Sequence, residues 1–334
     1  MPSNEKTNMR GDLGVVVIGR NEGQRLSRCL SSLAGVGHLV YVDSGSTDGS
    51  VELARGRGAE VVNLDPGVPF TAALARNAGW RRLAQIAPGT RFVHFFDGDC
   101  EVLAGWIEYA AQFLDGRADV AVVCGRRRER HPEATMFNRL CEMEWNGPVG
   151  EIRSCGGDAL MRLDVLAAVG GYDGSLIAGE EPELCVRIRA RGWKVWREPR
   201  DMVLHDAAMT RWSQWWKRSM RGGHAFAEGA HMHGAPPERH YVAETRRALL
   251  WGAAMPAAII VASFGTPFAL LLALVYPLQV VRLALRPSAA AREARATWMR
   301  AFFLVAARLP EAVGVSTFHW RRLRGRASTL IEYK

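Results

Sequence analysis

Short apolar runs alternate with amphipathic stretches through the first third of the chain. The runs LGVVVI and HLVYVD, separated by GQRLSRCLSSLAGV, predict two buried strands joined by a helix, as in a parallel βαβ unit. The order then repeats, with helices predicted at residues 46–55 and 71–87 and strands at residues 60–64 and 91–96. The pattern indicates an α/β fold with a Rossmann-like, mostly parallel sheet flanked by helices. Ligands of such sheets gather at the carboxyl ends of the strands.

The alternation loosens beyond Gly105. The elements predicted there are, in order, a helix, a strand, two helices and a strand, at residues 105–114, 118–125, 163–169, 182–190 and 194–196. The basic segment RRRERH, residues 126–131, is most simply a solvated loop, and a grip on an anionic ligand is the alternative. A second and less regular half therefore follows the first.

The apolar residues of the chain concentrate late, between Leu249 and Leu285. This block is close to twice the roughly 20 residues that one membrane-spanning helix needs, which predicts two helices rather than one. Gly265 and Pro267 lie near its midpoint and are predicted to break it into a hairpin. Arginines flank the block on both sides, which predicts that both ends of the hairpin face the cytoplasm: Arg246, Arg247, Arg282 and Arg286.

Residues 301–320 form another apolar stretch, which Arg308, Glu311 and His319 interrupt. These polar residues favour an interfacial amphipathic helix over a third membrane span. For the whole C-terminal region the alternative is a set of helices buried in a soluble core, because prolines shorten the apolar runs.

Charge and cysteine usage narrow the choice of partner and compartment. The net charge of +9 is compatible with nucleic acid, a membrane surface or a phosphate-bearing ligand. Many arginines lie beside or after the apolar block, which favours an anionic lipid surface, and no nucleic-acid-binding module accompanies them. The six cysteines have neither CxxC pairs nor zinc spacing and are predicted to be reduced core thiols. Residues 1–11 lack the apolar core of a signal peptide, which predicts a flexible N-terminus and a domain that folds in the cytoplasm.

The segment FVHFFDGDCEV ends an apolar strand with two aspartates one residue apart, Asp97 and Asp99. Two carboxylates at a strand end suit Mg²⁺ or Mn²⁺, which can bridge a diphosphate. Gly98 between them is predicted to leave the loop open for the approach of a ligand. An Asp-Gly-Asp triplet is by itself usually a turn. Its position at a strand end favours a metal site.

Two neighbouring strands also end in polar side chains. Asp43 closes HLVYVD, and Arg20 and Glu22 follow LGVVVI, where each is able to meet a nucleobase or a ribose. The alternative for the residues after Asp43 is helix capping, which residues 46–48 fit. Three strand ends are therefore predicted to converge on one ligand.

Taken in order, these segments resemble the inverting family 2 glycosyltransferases, which have the GT-A fold. The resemblance implies a nucleotide-sugar donor, linked to UDP, GDP or dTDP, with Glu22 and Asp43 at the nucleobase and ribose and Arg76 near the base or phosphates. It also implies that Asp97 and Asp99 serve the ribose and the metal. Asp99 is the more direct metal ligand of the two.

The segment GEEPELCVRIRARGW resembles the acidic motif with which the family begins its catalytic helix. Its second acidic residue, which takes the proton from the acceptor hydroxyl, is Glu181, with Glu180 and Glu183 as alternatives. Helix N-termini attract acidic side chains in any case. His205, in VLHDAA, resembles the histidine that completes the metal shell, and Asp206 is the alternative ligand.

One further segment resembles the acceptor region of the family, and another has residue types that suit a diphosphate. In SCGGDALM, Asp158 is predicted to bind an acceptor hydroxyl, or else to cap a turn. In the run TRWSQWWKRSMRGG, Arg218 and Arg221 are predicted to hold diphosphate oxygens, with tryptophans that stack on a sugar. An amphipathic helix that rests on the membrane is the alternative for this run.

The resemblance implies a GT-A catalytic domain and a helical membrane-associating region. The catalytic domain is predicted at residues 12–235, with a nucleotide-sugar half at 12–104 and an acceptor half at 105–235, and the membrane-associating region at 236–334. The predicted function is metal-dependent, inverting transfer of a sugar to a saccharide, a lipid-linked saccharide or a polyprenyl phosphate in cell-envelope or exopolysaccharide synthesis. The predicted location is the cytoplasmic face of the inner membrane, without a nucleic-acid partner.

Two other functions stay open from the sequence. A sugar nucleotidyltransferase is suggested by IGRNEGQRL, although this segment lacks the glycines that would cradle a triphosphate. A membrane-docked nucleotide-sugar binding protein without turnover is the non-catalytic alternative. It would be expected to have lost at least one of the predicted catalytic residues.

Overall fold

The computed structural model describes residues 11–67, 70–286 and 294–326. Residues 1–10 of the predicted N-terminal extension lie outside this part of the chain. The described chain divides into two compact units, the first with residues up to 130 and 145–207, the second with residues 131–144 and those from 208 onward. The boundaries of these units differ from the predicted domain boundaries. The predicted boundaries separate regions by their expected function, and they stay predictions.

The first unit is built on a sheet of nine strands, counted over the described residues. Strands β1 to β9 are Leu13–Gly19, His38–Asp43, Glu60–Asn63, Phe92–Asp97, Cys100–Val102, Val120–Glu129, Gly150–Ile152, Ala159–Arg162 and Lys194–His205. Helices α1 to α7 are Gln24–Ser32, Ser50–Gly56, Ala72–Ile86, Trp106–Asp115, Met136–Trp145, Leu163–Ala168 and Glu180–Ala190, of which α5 belongs mainly to the second unit.

One half of the sheet, in the order β3, β2, β1 and β4, is parallel throughout. Strand β1, which has a neighbour on each side, is apolar on both faces, and its residues Val15, Val16 and Val17 are fully buried. Helix α3 lies directly on this strand, because a Cβ atom at Gly79 would overlap the side chain of Val16. The helix begins as predicted, with the Thr71 hydroxyl accepting a hydrogen bond from the Leu74 amide at 3.2 Å.

The other half of the sheet mixes parallel and antiparallel pairs. Strand β8 pairs antiparallel with both β4 and β6, β6 pairs parallel with β9, and β9 pairs antiparallel with β5 and β7. The predicted α/β sheet flanked by helices is confirmed, while its strand pairs are mixed rather than mostly parallel. Strand β9 is also far longer than the predicted strand at residues 194–196, since its outer part pairs with both β6 and β5.

The prediction of a solvated loop at residues 126–131 was wrong. Strand β6 continues through Glu129, and its backbone pairs with β9 up to His205. Alternate side chains therefore point to opposite faces of the sheet. Arg128 meets Asp201 at 3.0 Å, whereas Arg127 and Glu129 reach the predicted site from the other face.

The second predicted helix also begins later than expected, at Ser50 instead of Ser46. The side chains that were expected to cap it are engaged in the preceding loop. The Ser46 hydroxyl accepts a hydrogen bond from the Asn21 amide at 2.9 Å, and Asp48 accepts one from the Gly23 amide at 2.9 Å. In the same loop, Asp43 accepts hydrogen bonds from the amides of Gly45 at 2.9 Å and Ser46 at 2.8 Å. These bonds favour a loop of Asx-type turns over another helical turn.

The second unit is helical in its described part. Its helices α8 to α13 are Trp212–His233, Val242–Leu249, Met255–Gly265, Val275–Ala284, Ala294–Ala306 and Arg308–Leu323, with a π-helical turn at Leu250–Ala254 and a 3₁₀ segment at Pro267–Leu274. Helices α8 and α13 pack backbone against backbone. A Cβ atom at Gly223 would overlap the Glu311 carbonyl, and one at Gly314 would overlap the Met220 carbonyl.

Three helical segments of the described chain are long and apolar enough to cross a membrane: Val242–Gly265, Pro267–Ala284 and Ala294–Leu323. The predicted break between Gly265 and Pro267 is confirmed, and Phe264 and Phe268 beside it are 86% and 76% exposed. The third segment was expected to be an interfacial helix. It begins earlier than the predicted stretch at residues 301–320, and this added length makes it a third candidate span.

Candidate active site

The loop after β4 carries both aspartates of the Asp-Gly-Asp triplet. Asp97 is the last residue of the strand, and Asp99 is buried in the turn to β5. Gly98 is buried rather than open to a ligand. Its amide donates to the Ile18 carbonyl at 2.8 Å, and a Cβ atom there would lie 3.2 Å from both Ile18 O and Glu22 Cγ. The glycine thus allows the loop to lie against the end of β1.

Asp97 is held between two arginines. Its Oδ1 accepts a hydrogen bond from Arg76 Nη2 at 2.8 Å, and its Oδ2 accepts one from Arg127 Nη2 at 3.0 Å. Burial acts to raise the pKa of Asp97, but the two guanidinium groups outweigh it and hold this pKa below its usual value. Both oxygens of Asp97 are therefore engaged with cations of the chain itself.

Arg127 also pairs with Asp158, a buried residue just before β8. Asp158 Oδ2 accepts hydrogen bonds from Arg127 Nη2 and, at 2.7 Å, from Arg127 Nε, while Oδ1 accepts one from the Asp97 amide at 3.1 Å. Burial raises the pKa of Asp158 above its usual value despite this cation. Asp158, predicted to meet an acceptor hydroxyl, holds the end of β4 in place. Arg127 was not predicted as a site residue, because a run of arginines is typical of a solvated loop.

Arg76 connects Asp97 to the predicted general base. Its side chain is 2% exposed, and Nη1 lies 2.9 Å from an oxygen of both Glu180 and Glu181 at the start of α7. Burial and the neighbouring Glu180 carboxylate raise the pKa of Glu181 to about 7, against the influence of Arg76. Gly157 makes this approach possible, since a Cβ atom there would lie 2.5 Å from Arg76 Nη2.

Asp99 and His205 form the group that best fits a metal. The ligand atoms of Asp99, Cys100 and His205 lie within 4.8 Å of one another, and all three residues are buried. His205 Nε2 lies 3.4 Å from Asp99 Oδ2. Burial raises the pKa of the Cys100 thiol well above its usual value. Its soft sulfur suits Mn²⁺ or Mg²⁺ less well than the carboxylate of Asp99 does, and the oxygens of Asp97 and Asp158 are bound by arginine.

The histidine is protonated more readily than usual in the absence of a cation. Burial acts to lower the pKa of His205, but the nearby Asp99 carboxylate outweighs it and raises this pKa. The predicted alternative ligand, Asp206, pairs with Arg28 at 3.2 Å. The structure thus brings Asp99 and His205 together.

The residues predicted to contact the nucleotide lie at the ends of β1 and β2. Asp43 is buried, and in addition to its two loop amides it accepts a hydrogen bond from the Tyr41 hydroxyl at 3.0 Å. Glu22 pairs with Arg25 at 2.8 Å, close to Gly98. Arg20 is exposed, with its guanidinium 5.5 Å from the centre of the Phe70 ring.

Arg218 belongs to the second unit, on α8. Its Nη1 donates to Glu144 Oε2 at 2.8 Å within that unit. The predicted role of Arg218 at the diphosphate stays a prediction. The six cysteines are free and buried, as predicted.

The sequence matches one family model and is similar to several curated proteins. Residues 14–158 match the model of the family Glycosyl transferase family 2. The chain is 28% identical over 179 residues to the succinoglycan biosynthesis protein ExoA of Rhizobium meliloti, covering 50% of this chain and 53% of the relative. It is 28% identical over 207 residues to the pre-mycofactocin glycosyltransferase of Mycobacterium tuberculosis, covering 58% of this chain and 43% of that one. The chain thus spans about half the length of these curated relatives.

Solved structures extend the similarity over most of the chain. The mannosyltransferase PcManGT from Pyrobaculum calidifontis, solved with GDP-Man and Mn²⁺, is 20% identical with a TM-score of 0.62, covering 93% of this chain and 88% of that one. Residues 1–349 of TarS from S. aureus are 14% identical with a TM-score of 0.52, covering 94% of this chain and 92% of that one. At these identities the similarity shows the fold alone. Residues 14–158 therefore match glycosyl transferase family 2, and the described chain has the GT-A fold.

Proposed function

We propose that this chain transfers a sugar from a nucleotide-diphosphate sugar to an acceptor hydroxyl, with inversion at the anomeric carbon. The observation that carries the proposal is the contact of Arg76 with Asp97 on one side and with Glu180 and Glu181 on the other. One buried arginine thus contacts both a carboxylate suited to the donor side, Asp97, and a carboxylate suited to the acceptor side, Glu181. The family match supports the same reaction class.

Glu181 is the general base in this proposal. The acceptor hydroxyl attacks the anomeric carbon, Glu181 takes its proton, and the bond from this carbon to the diphosphate oxygen breaks, which releases the nucleoside diphosphate. A carboxyl with a pKa of about 7 is basic enough to accept this proton and is still ionised near neutral pH. Arg76 orients the carboxylate from 2.9 Å.

Asp99 and His205 hold Mg²⁺ or Mn²⁺ in this proposal. A divalent ion there supplies charge stabilisation for the leaving diphosphate. Glu22 and Asp43 lie at the strand ends where GT-A-type sheets bind their nucleotide. The archaeal mannosyltransferase solved with GDP-Man and Mn²⁺ supports this class of donor and metal.

The acceptor hydroxyl belongs to a saccharide or a lipid-linked saccharide at the cytoplasmic face of the inner membrane. The three apolar segments and the arginines that flank the hairpin support membrane association on that side. The name of the succinoglycan biosynthesis relative supports a role in exopolysaccharide synthesis.

Two substitutions test the proposal in the detergent-solubilised full chain. With Mn²⁺ and UDP-, GDP- and dTDP-sugars, Asp99→Asn is expected to lower transfer or donor hydrolysis by about a thousandfold, because several kcal/mol of metal stabilisation is lost. Glu181→Gln is expected to keep donor binding and lower turnover by about a hundred- to ten-thousandfold. Asp115→Asn, which removes a surface ion pair with Arg91, is the control and should leave both unchanged.

The same assay separates the alternatives. Release of pyrophosphate from a nucleoside triphosphate and a sugar phosphate would identify a nucleotidyltransferase and contradict the proposal. Donor binding without turnover in the wild-type chain, across all three nucleotide classes and with membrane extract as acceptor source, would indicate the non-catalytic binding protein. Full-length protein that remains in solution without detergent would contradict the membrane location.

A further inference from the structure

We propose that Glu129 is a positioning residue that orients His205 toward the metal. This inference rests on the metal site of the proposed function and adds a residue that neither the family motifs nor the sequence pattern indicated. Glu129 is the last residue of β6, and its side chain is fully buried. It occupies the segment that was expected to be a solvated loop.

The imidazole of His205 lies between two carboxylates. Its Nε2 lies 3.4 Å from Asp99 Oδ2, and its Nδ1 lies 3.7 Å from Glu129 Oε2. The backbone prepares this arrangement, because Glu129 and His205 are direct partners in the parallel pair of β6 and β9. Each ring nitrogen therefore faces its own carboxylate, one on the side proposed for the metal and one behind it.

Neighbouring contacts fix both members of the pair. Glu129 Oε2 also accepts a hydrogen bond from the Ala207 amide at 3.1 Å, so the carboxylate is tied to the chain that follows His205. The Trp145 ring packs edge-on against the imidazole, with centroids 4.7 Å apart. The imidazole ring therefore has little room to turn. The separation of 3.7 Å between His205 Nδ1 and Glu129 Oε2 is longer than a hydrogen bond, and a small side-chain movement would bring the two atoms within hydrogen-bond distance.

A carboxylate behind a metal-binding histidine has a defined effect. It accepts the proton on Nδ1, which leaves the lone pair of Nε2 directed at the cation and makes the imidazole a better ligand. Loss of such a partner typically weakens metal binding by about 10- to 100-fold. Glu129 is suited to this role because it is buried and acidic and lies on the Nδ1 side.

Strand β6 thereby assigns different partners to the two aspartates of the triplet. Arg127, two residues before Glu129 on the same face, occupies one oxygen of Asp97, while Glu129 supports the histidine that faces Asp99. The geometry assigns the metal to Asp99 and His205 and leaves Asp97 to the arginines.

The test is a Mn²⁺ titration of the full chain in detergent, in which electron paramagnetic resonance measures the concentration of free Mn²⁺ at each step. Glu129→Gln is expected to weaken Mn²⁺ binding by about 10- to 100-fold. Glu101→Gln is the matched control, since this glutamate lies on strand β5, which pairs with the other edge of β9, and its partner is Arg130. It should bind Mn²⁺ like the wild type, and His205→Ala gives the lower limit of affinity.

A second measurement distinguishes positioning from folding. At saturating Mn²⁺, electron spin echo modulation from a bound imidazole nitrogen is expected in the wild type and in Glu101→Gln, and is expected to be weakened in Glu129→Gln. Wild-type affinity and modulation in Glu129→Gln, together with a loss in His205→Ala, would overturn this inference and leave the proposed function intact. Wild-type binding in His205→Ala would instead overturn the metal site of the proposed function.

Discussion

The two halves of the sheet place their polar residues differently. In the parallel half, β1 to β4, the polar residues of the site follow or end the strands, as Glu22, Asp43 and Asp97 do. In the mixed half, Glu129 and His205 also end their strands, β6 and β9, but Arg127 lies inside β6. The parallel half thus offers its polar site residues only at or beyond the strand ends, whereas the mixed half also contributes one from within a strand.

The two halves are also stabilised by different interactions. Burial of Val15, Val16 and Val17 under α3 dominates the parallel half. In the mixed half Val122, Val123 and Leu160 are equally buried, and a charge network in which Arg127 joins Asp97 to Asp158 is added to this apolar core. Such a network is sensitive to the loss of one member, because a buried charge without its partner is costly.

The largest effect is expected from breaking this network. Arg127→Met should destabilise the protein by about 3–5 kcal/mol, since it leaves Asp158 buried without its cation. The penalty should shrink as the pH falls, because Asp158 already has a raised pKa and becomes neutral by taking up a proton. Thermal unfolding of the full chain at several pH values measures both effects.

The matched variant on the same strand is Arg128→Met. Arg128 points to the opposite face and pairs with the half-exposed Asp201, so its loss should cost less than about 1 kcal/mol at any pH. Equal destabilisation by the two variants would mean that β6 is held by its backbone pairing and not by the network.

A smaller effect is expected at the glycine between the two sides of the site. Gly157→Ala should cost about 1–3 kcal/mol and lower transfer, because the new methyl group would lie 2.5 Å from Arg76 Nη2 and 3.0 Å from Asp97 Oδ2. Gly156→Ala meets no atom within 4 Å and should stay within about 0.5 kcal/mol of the wild type. Urea unfolding and the transfer assay on the same preparations check this, and loss of activity in both variants would contradict it.

The smallest effect is expected from pH in the wild-type enzyme. Glu181 accepts a proton only as the carboxylate, and its pKa is raised to about 7, so turnover should rise with pH and fall about tenfold between pH 8 and pH 6. Glu180→Gln removes the neighbouring charge that helps to raise this pKa and should move the profile to lower pH. A flat profile in the wild type would rule out Glu181 as the titrating base.

The sequence was sufficient for the parallel half because burial on both faces leaves a continuous apolar run. LGVVVI and HLVYVD fit no other element of that length. The start of α3 at Thr71 was predictable because its capping hydrogen bond joins two residues that are close in sequence, Thr71 and Leu74. The Asp-Gly-Asp triplet stood out because an apolar strand led into it.

The mixed half could not be predicted in the same way. Arginines on β6 alternate between a buried face and a solvated face, and the difference arises from Asp97, Asp158 and Asp201, which are distant in sequence. The late start of α2 has a similar cause, since Asp48 bonds to Gly23 on another loop. In the outer part of β6 charged residues face both sides of the sheet, so the sequence lacks the alternation of apolar and polar residues that identifies a strand. The pairing of Glu129 with His205 was therefore not predicted.

The glycine contacts between α8 and α13 set an order for the assembly of the second unit. Gly223 and Gly314 allow the two backbones to touch, yet they lie on helices on either side of the apolar hairpin in the chain. Because α13 is synthesised after the hairpin, the packing around α8 is completed only after the hairpin has been made. A nascent chain arrested ahead of Arg308 would therefore contain the whole hairpin while α8 still lacked its partner helix.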